Sequence, residues 1–151
     1  MNALTLLIVE HDELEALFKQ VERSDLADRK ALFVKIRAII ESHSHIEEMV
    51  LYRYMLESGE EDLRAVVKEG IEKHRKIKGF MQEISSLRSD AEEFEEKLKM
   101  FMEFTRHHVE KEETVIFTKI TKHFEPAVLY ALGAKMDAAK RNFVRAADDF
   151  L

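Results

Sequence analysis

Two stretches of this chain carry the same chemical pattern. The first reads His43-Ser44-His45-Ile46-Glu47-Glu48-Met49-Val50-Leu51-Tyr52, and the second His108-Val109-Glu110-Lys111-Glu112-Glu113-Thr114-Val115-Ile116-Phe117. Aligned, they share a histidine, a glutamate four residues on, a second glutamate, then valine, an aliphatic residue and an aromatic ring. On a helix, residues i and i+4 stand one above the other on the same face. Each stretch therefore offers an imidazole and a carboxylate side by side. Two more histidines, His11 and His74, stand singly inside apolar stripes of their own. Four imidazoles and two carboxylates in an oily layer are costly, at several kcal/mol for each unpaired charge. Coordination of a pair of divalent or trivalent metal ions removes that cost. Neutral nitrogens with carboxylates able to bridge make a good dinuclear iron site, and zinc and manganese accept the same ligand types. The chain has no cysteine, which excludes disulfides, thiolate ligation, iron–sulfur clusters and thiol catalysis within it.

Several neighbours of this set stay open on spacing alone. His11 and Glu15 also stand four apart; Leu14 fills the inward slot there, yet Ile46 has the same relation to Glu47. His107 adjoins His108 and could support it or replace it as a ligand. Glu48 and Glu113 could orient ligand imidazoles, as supporting carboxylates commonly do, or remain solvated charges. His45, His107 and His123 fall off the main stripes and read as surface residues. Gly70, one turn before His74, gives up about 1 kcal/mol of helix stability. The compensation is either space for a diatomic ligand or close helix packing. Tyr54 could reach the same space, but a backbone carbonyl is its expected partner. Leu7, Leu14, Phe18, Ile39, Val50, Ile77, Phe101 and Val115 are expected to sheathe the site.

The elements that must position these residues are helices. Apolar residues recur at steps of three and four across residues 4–21, 32–54, 63–84, 94–115 and 129–150, and no useful length of period-two alternation occurs. Ser24 and Asp25 suit the cap of a second helix, and Ser58-Gly59 suits its end, with Gly59 in a left-handed position. Asp90 and Glu93 have capping-box spacing for a fourth helix, and Pro126 suits the first position of a fifth. The predicted fold is all-α: one domain over residues 1–151, an antiparallel up-down four-helix bundle across about 1–124, and a short additional C-terminal helix across about 126–150. In that arrangement His11, early in helix one, meets the His43/Glu47 pair late in helix two. His74, midway along helix three, meets His108 and Glu112. The fifth helix covers the bundle end or offers a homodimer face through Phe143 and Phe150.

Composition agrees. A length of 151 residues fits one domain, and 46% hydrophobic with 36% charged residues excludes a disordered tail. No apolar run is long enough for a membrane span. Net charge is −6 without a basic patch, so a nucleic-acid partner is not favoured. The opening MNALTLLIVEHDEL lacks the basic region of a signal peptide, and a cytoplasmic protein is expected. Ferritin-like di-iron proteins need Glu three residues before His on two helices. Here the residues at that offset are Ile8, Ile40, Ser42, Ile71, Phe104, Thr105 and Ile120.

The constellation of His11, His43 with Glu47, His74, and His108 with Glu112 resembles the hemerythrin-like, HHE cation-binding domain, over residues 1–125 and including both flanks. The resemblance implies a four-helix bundle holding two iron ions with an oxo or hydroxo bridge. His11 and His43 would serve one iron, His74 and His108 the other, and Glu47 and Glu112 would bridge. The chain departs from oxygen-carrying hemerythrins, which have a second histidine on helix three and an aspartate on helix four; Lys78 stands four after His74, and the helix-four carboxylate is Glu112. Arg53 and Thr118 replace prolines frequent in the family. The pattern is nearer the branch of bacterial iron-centre repair proteins and the iron-sensing F-box domain, although the Cys-bearing domain of the former is missing here. The implied function is binding of a small diatomic ligand, O2 or NO, for sensing, storage or delivery. The alternatives are an enzyme for peroxide or NO detoxification or iron-centre repair, and a metal-sensing module.

Overall fold

The structure, a computed structural model, describes residues 1–149. Helix α1 (Ala3–Arg23) opens where Asn2 accepts the amide of Leu4 at 2.8 Å. Helix α2 (Leu26–Ile46) opens on the carboxylate of Asp25 and runs through a π-helical segment (Glu47–Tyr52) into α3 (Arg53–Ser58), forming one rod. Helix α4 (Glu61–Ser86) returns. Helix α5 (Glu92–Lys111), a second π-helical segment (Glu112–Ile116) and α6 (Phe117–His123) form the fourth rod. Helix α7 (Pro126–Asp149) begins at the proline, as expected, but at 24 residues it is not short: it is longer than α1, because it packs along the bundle and not only over its end. No strand occurs among the described residues.

Two expected caps differ. Gly59 is extended, at φ −83°, rather than left-handed. With Glu60 also extended, the chain reverses directly into α4. Glycine is favoured there because a Cβ would run into the Met55 carbonyl. Asp90 does not cap the fourth rod, since α5 starts after Ala91 without a side-chain cap. The Asp90 carboxylate instead takes Arg88 at 3.1 Å.

The interior is two apolar blocks with a polar layer between them. One block gathers Leu7, Tyr52, Leu63, Val67, Phe117 and Leu132. The other gathers Phe18, Phe33, Ile77, Met81, Phe94 and Phe101. Between them lie His11, His74, His108, Glu47 and Glu112, all buried. Helix α7 packs along α1, α2 and the first π-helical segment and adds Leu129, Leu132 and Met136 to the first block. Gly133 is small because the backbone of Met1 crosses it. Phe143 packs inward, its ring 5.4 Å from that of His45; Phe150 lies outside the described residues. Among those residues, no helix is long and apolar enough to cross a membrane.

Of the expected sheath, Leu7, Leu14, Phe18, Ile77 and Phe101 are buried. Ile39, Val50 and Val115 are only half-buried, and Ile40, Leu51 and Ile116 take the inner positions. For the last two the cause is the π-helical turn. The Arg53 amide bonds back to Glu48, and the Phe117 amide to Glu112, five residues rather than four. Each segment holds an extra residue per turn, so the inward face advances by one position.

Candidate metal centre

Both buried carboxylates stand at the start of a π-helical segment, and their rods face each other across the bundle. All four expected imidazoles turn Nε2 toward this pair. His74 Nε2 lies 3.1 Å and His43 Nε2 3.9 Å from Glu47 Oε1. His11 Nε2 lies 3.2 Å from Glu112 Oε1, and His108 Nε2 lies 3.8 Å from Glu112 Oε2. Two groups able to hold a cation result. Glu47, His74, His108 and Glu112 make one, and His11, His43 and Glu112 the other, the ligand atoms within each lying inside 4.8 Å of one another.

The outer ring nitrogens are anchored. His11 Nδ1 meets Glu113 at 2.7 Å, His74 Nδ1 meets Glu48 at 3.1 Å, and His43 Nδ1 meets Glu10 at 3.0 Å. A carboxylate accepting the Nδ1 proton fixes the ring's orientation and leaves Nε2 as the inward donor atom. Glu10 is in turn held by Lys140 of α7 at 2.9 Å. Neither Glu10 nor Lys140 stands out in the sequence; Glu10 had a faint signal in being next to His11. Glu48 and Glu113 are resolved in favour of orienting the imidazoles. Glu15 is elsewhere, held by Arg106 at 2.9 Å. His45, His107 and His123 are exposed, as expected from their places off the stripes.

Tyr52, and not Tyr54, is the tyrosine at the centre. Tyr54 is half-buried with its ring 5.6 Å from Phe124. Tyr52 is fully buried, stacks on His74 with ring centres 5.6 Å apart, and donates its hydroxyl to Glu112 Oε2. The π-helical turn brings it in. Its counterpart five residues after Glu112 is Phe117, stacked on His11 at 6.3 Å. The signal was present in the repeat, as the aromatic that closes both stretches.

Charge is tightly managed. Burial pushes the Glu47 carboxyl up, and the neighbouring Glu112 pushes it further. Burial would also raise Glu112, but His11 close against it and the imidazole charges around it hold it well below the usual carboxylate range. Burial alone would depress His11 and His74; the carboxylates around them reverse this, to about 9 and about 10. His108, buried and beside other imidazoles, falls to about 4. Burial and both carboxylates push the Tyr52 phenol well above its ordinary value, so it stays a donor.

The donor set fits a pair of cations on a structural ground. Both oxygens of Glu47 and Oε1 of Glu112 are buried with no hydrogen-bond partner. Such atoms are rare in native interiors and ask for a ligand. One face of the layer opens to a cleft with about 30 Å³ of free space, lined by Gly70, Lys73, His107, His108, Lys111 and Glu112 among others.

Comparisons with known proteins agree with this geometry. The family model described as Hemerythrin HHE cation binding domain matches residues 2–120. A Nostoc sp. protein named DNA nickase is 24% identical over 142 residues, covering 93% of this chain but 39% of that protein. The chain thus spans about two fifths of that relative's length. A crystal structure of a hemerythrin HHE cation-binding domain-containing protein from Mycobacterium kansasii superposes with a TM-score of 0.83 at 21% identity, covering 97% of this chain and 90% of that one.

Proposed function

The chain belongs to the hemerythrin HHE cation-binding family, and from that premise we propose that it is a non-haem di-iron protein that binds a small ligand, O2 or NO, for sensing, storage or delivery. His11 and His43 would hold one iron, His74 and His108 the other, and Glu47 and Glu112 would bridge, Glu112 being common to both groups of donors. The observation that carries this reading is the set of partnerless carboxylate oxygens on Glu47 and Glu112, both 0% exposed, in reach of four inward nitrogens. Bound iron would supply reversible electron donation to the ligand.

The chain's own residues do the rest. Glu10, Glu48 and Glu113 keep three imidazoles aimed inward. The apolar blocks on either side exclude bulk water from the layer. The cleft beside Gly70 gives one side of the layer a way out. The nickase activity in the Nostoc relative's name is not carried over, since this chain covers only 39% of that protein. A second reading, a metal-sensing module, draws support from the divided core: without metal the buried carboxylates oppose the joining of the two blocks.

The test is metal analysis with a visible spectrum on protein purified in air. Two irons per chain, with charge-transfer bands that change reversibly with O2 or NO, are expected. A chain holding zinc, or no metal, overturns the iron reading. A His74→Ala variant that still holds two irons contradicts the ligand set.

A further inference from the structure

Helix α7 begins beyond residues 2–120, the part matched by the family model, and it grips one of the two ligand-bearing rods at three places. Lys140 Nζ lies 2.9 Å from Glu10 Oε2, and the other oxygen of Glu10 meets His43 Nδ1 at 3.0 Å. Two residues after His43, the ring of His45 lies 5.4 Å from that of Phe143, three residues after Lys140. The π-helical segment that starts at Glu47 lies against α7 as well. The Glu10 bridge is the most exacting of the three. Glu10 is buried, and a carboxylate in such a place depends on each of its partners. Turning Nε2 of His43 into the layer puts Nδ1 against Glu10, which reaches it with Oε1 while Oε2 points to α7. An ion held at Nε2 fixes the ring, the fixed ring fixes Glu10, and a fixed Glu10 gives Lys140 a stationary partner. Without the ion the ring can turn, and the contact of Lys140, whose side chain is 42% exposed, becomes that of a surface ion pair.

We propose that Lys140 is a remote positioning residue for the metal layer, acting through Glu10 on His43, and that by the same connection metal occupancy governs how often α7 lifts from the bundle. The inference rests on the two-metal reading above. Ion binding at the layer and docking of the helix share one coupling free energy, so each strengthens the other by the same factor. Loss of metal then shows at the surface, as more frequent exposure of Leu129, Leu132 and Met136 on α7 and of the apolar block that they join.

The experiment compares amide hydrogen exchange along α7 in iron-loaded and chelator-stripped protein, with iron analysis of every variant and a chelator competition for its iron affinity. An uncoupled helix opens equally often in both states. In the parent, iron is expected to slow exchange between Leu129 and Phe143 about fivefold, the low end for coupled sites. Lys140→Met should bring that ratio to about one and weaken iron by the same factor, and Lys140→Arg should restore both. Arg141→Ala, which removes a charge paired with Asp137 on the same helix, should leave both as in the parent. A parent with two irons whose α7 exchanges alike in the two states overturns the proposal and leaves the two-metal reading standing. So does a Lys140→Met chain that keeps the parental ratio or the parental iron affinity. A parent chain that takes up fewer than two ions brings down the two-metal reading and this inference with it.

Discussion

The His11/His43 half of the layer and the His74/His108 half are built from the same motif and defended differently. In the first, both outer ring nitrogens rest on carboxylates, Glu113 and Glu10, and Lys140 backs Glu10 from the fifth helix. In the second, His74 rests on Glu48, but among the described residues His108 has no carboxylate on its outer side and lines the cleft instead. The sequence position that gives Glu10 before His11 gives Lys73 before His74. A repeated motif therefore sets the shared imidazoles and carboxylates, and residues one place away decide which half is sealed and which is open.

The largest test of that comparison lies at its centre. Glu112 belongs to both donor groups and Glu47 to one. Glu112→Ala should cost more iron per chain than Glu47→Ala; iron analysis after dialysis distinguishes them, and equal losses would break the distinction. Next is the sealed half. Loss of a carboxylate that orients a ligand imidazole typically costs about 10–100-fold in metal affinity. Glu10→Ala should show this at one of two sites in a competition with a chelator. Lys140→Ala, one contact further out, should cost less than that.

The pH dependence probes both halves together. In the metal-free chain His11 is raised to about 9 and His74 to about 10. A raised pKa gives stabilisation that is fully present below the unfolded value of about 6.5 and is lost as pH climbs through the folded values. Denaturation midpoints with chelator present should therefore fall between pH 7 and 10. Metal uptake needs those imidazoles neutral, so it should release protons at pH 7 and tighten as pH rises over the same window. Glu113→Gln should lower the upper end of this window for His11, and Glu48→Gln for His74. Metal-free stability that is flat across this range would contradict the ion pairs.

The smallest effect compares two glycines of α4. A Cβ at Gly79 meets nothing within 4 Å, so Gly79→Ala should stabilise by about 1 kcal/mol through helix propensity. At Gly70 the same gain is opposed by crowding of Tyr52, which costs about 1–3 kcal/mol. Gly70→Ala should come out neutral to destabilising in thermal melts.

Much of this was legible from spacing. Pro126 opens the fifth helix and Asp25 caps the second because both act through local backbone chemistry. The six ligand candidates are brought to one level because helical stripes and antiparallel order fix which residues meet. Positions that depended on the phase of the helix beyond Glu47 and Glu112 were misplaced. Plain α-helical steps point Val50, Tyr54 and Val115 inward, whereas the π-helical turns bring in Leu51, Tyr52 and Ile116. The Lys140–Glu10–His43 chain was invisible because it joins residues far apart in sequence across a helix whose docking no local pattern specifies.

Those two wide turns also bear on how the layer can move. A surplus residue wound into a helix can pass to the next turn by exchanging a single backbone hydrogen bond, leaving the rod intact. Because each surplus begins at a buried glutamate, such a shift would lengthen or shorten the axial reach of the Glu47 and Glu112 carboxylates, with no need to slide whole helices past one another. Amide exchange at Leu51 and Ile116 that differs between oxidised and reduced protein would register that travel, and identical protection in both states would show the turns to be locked.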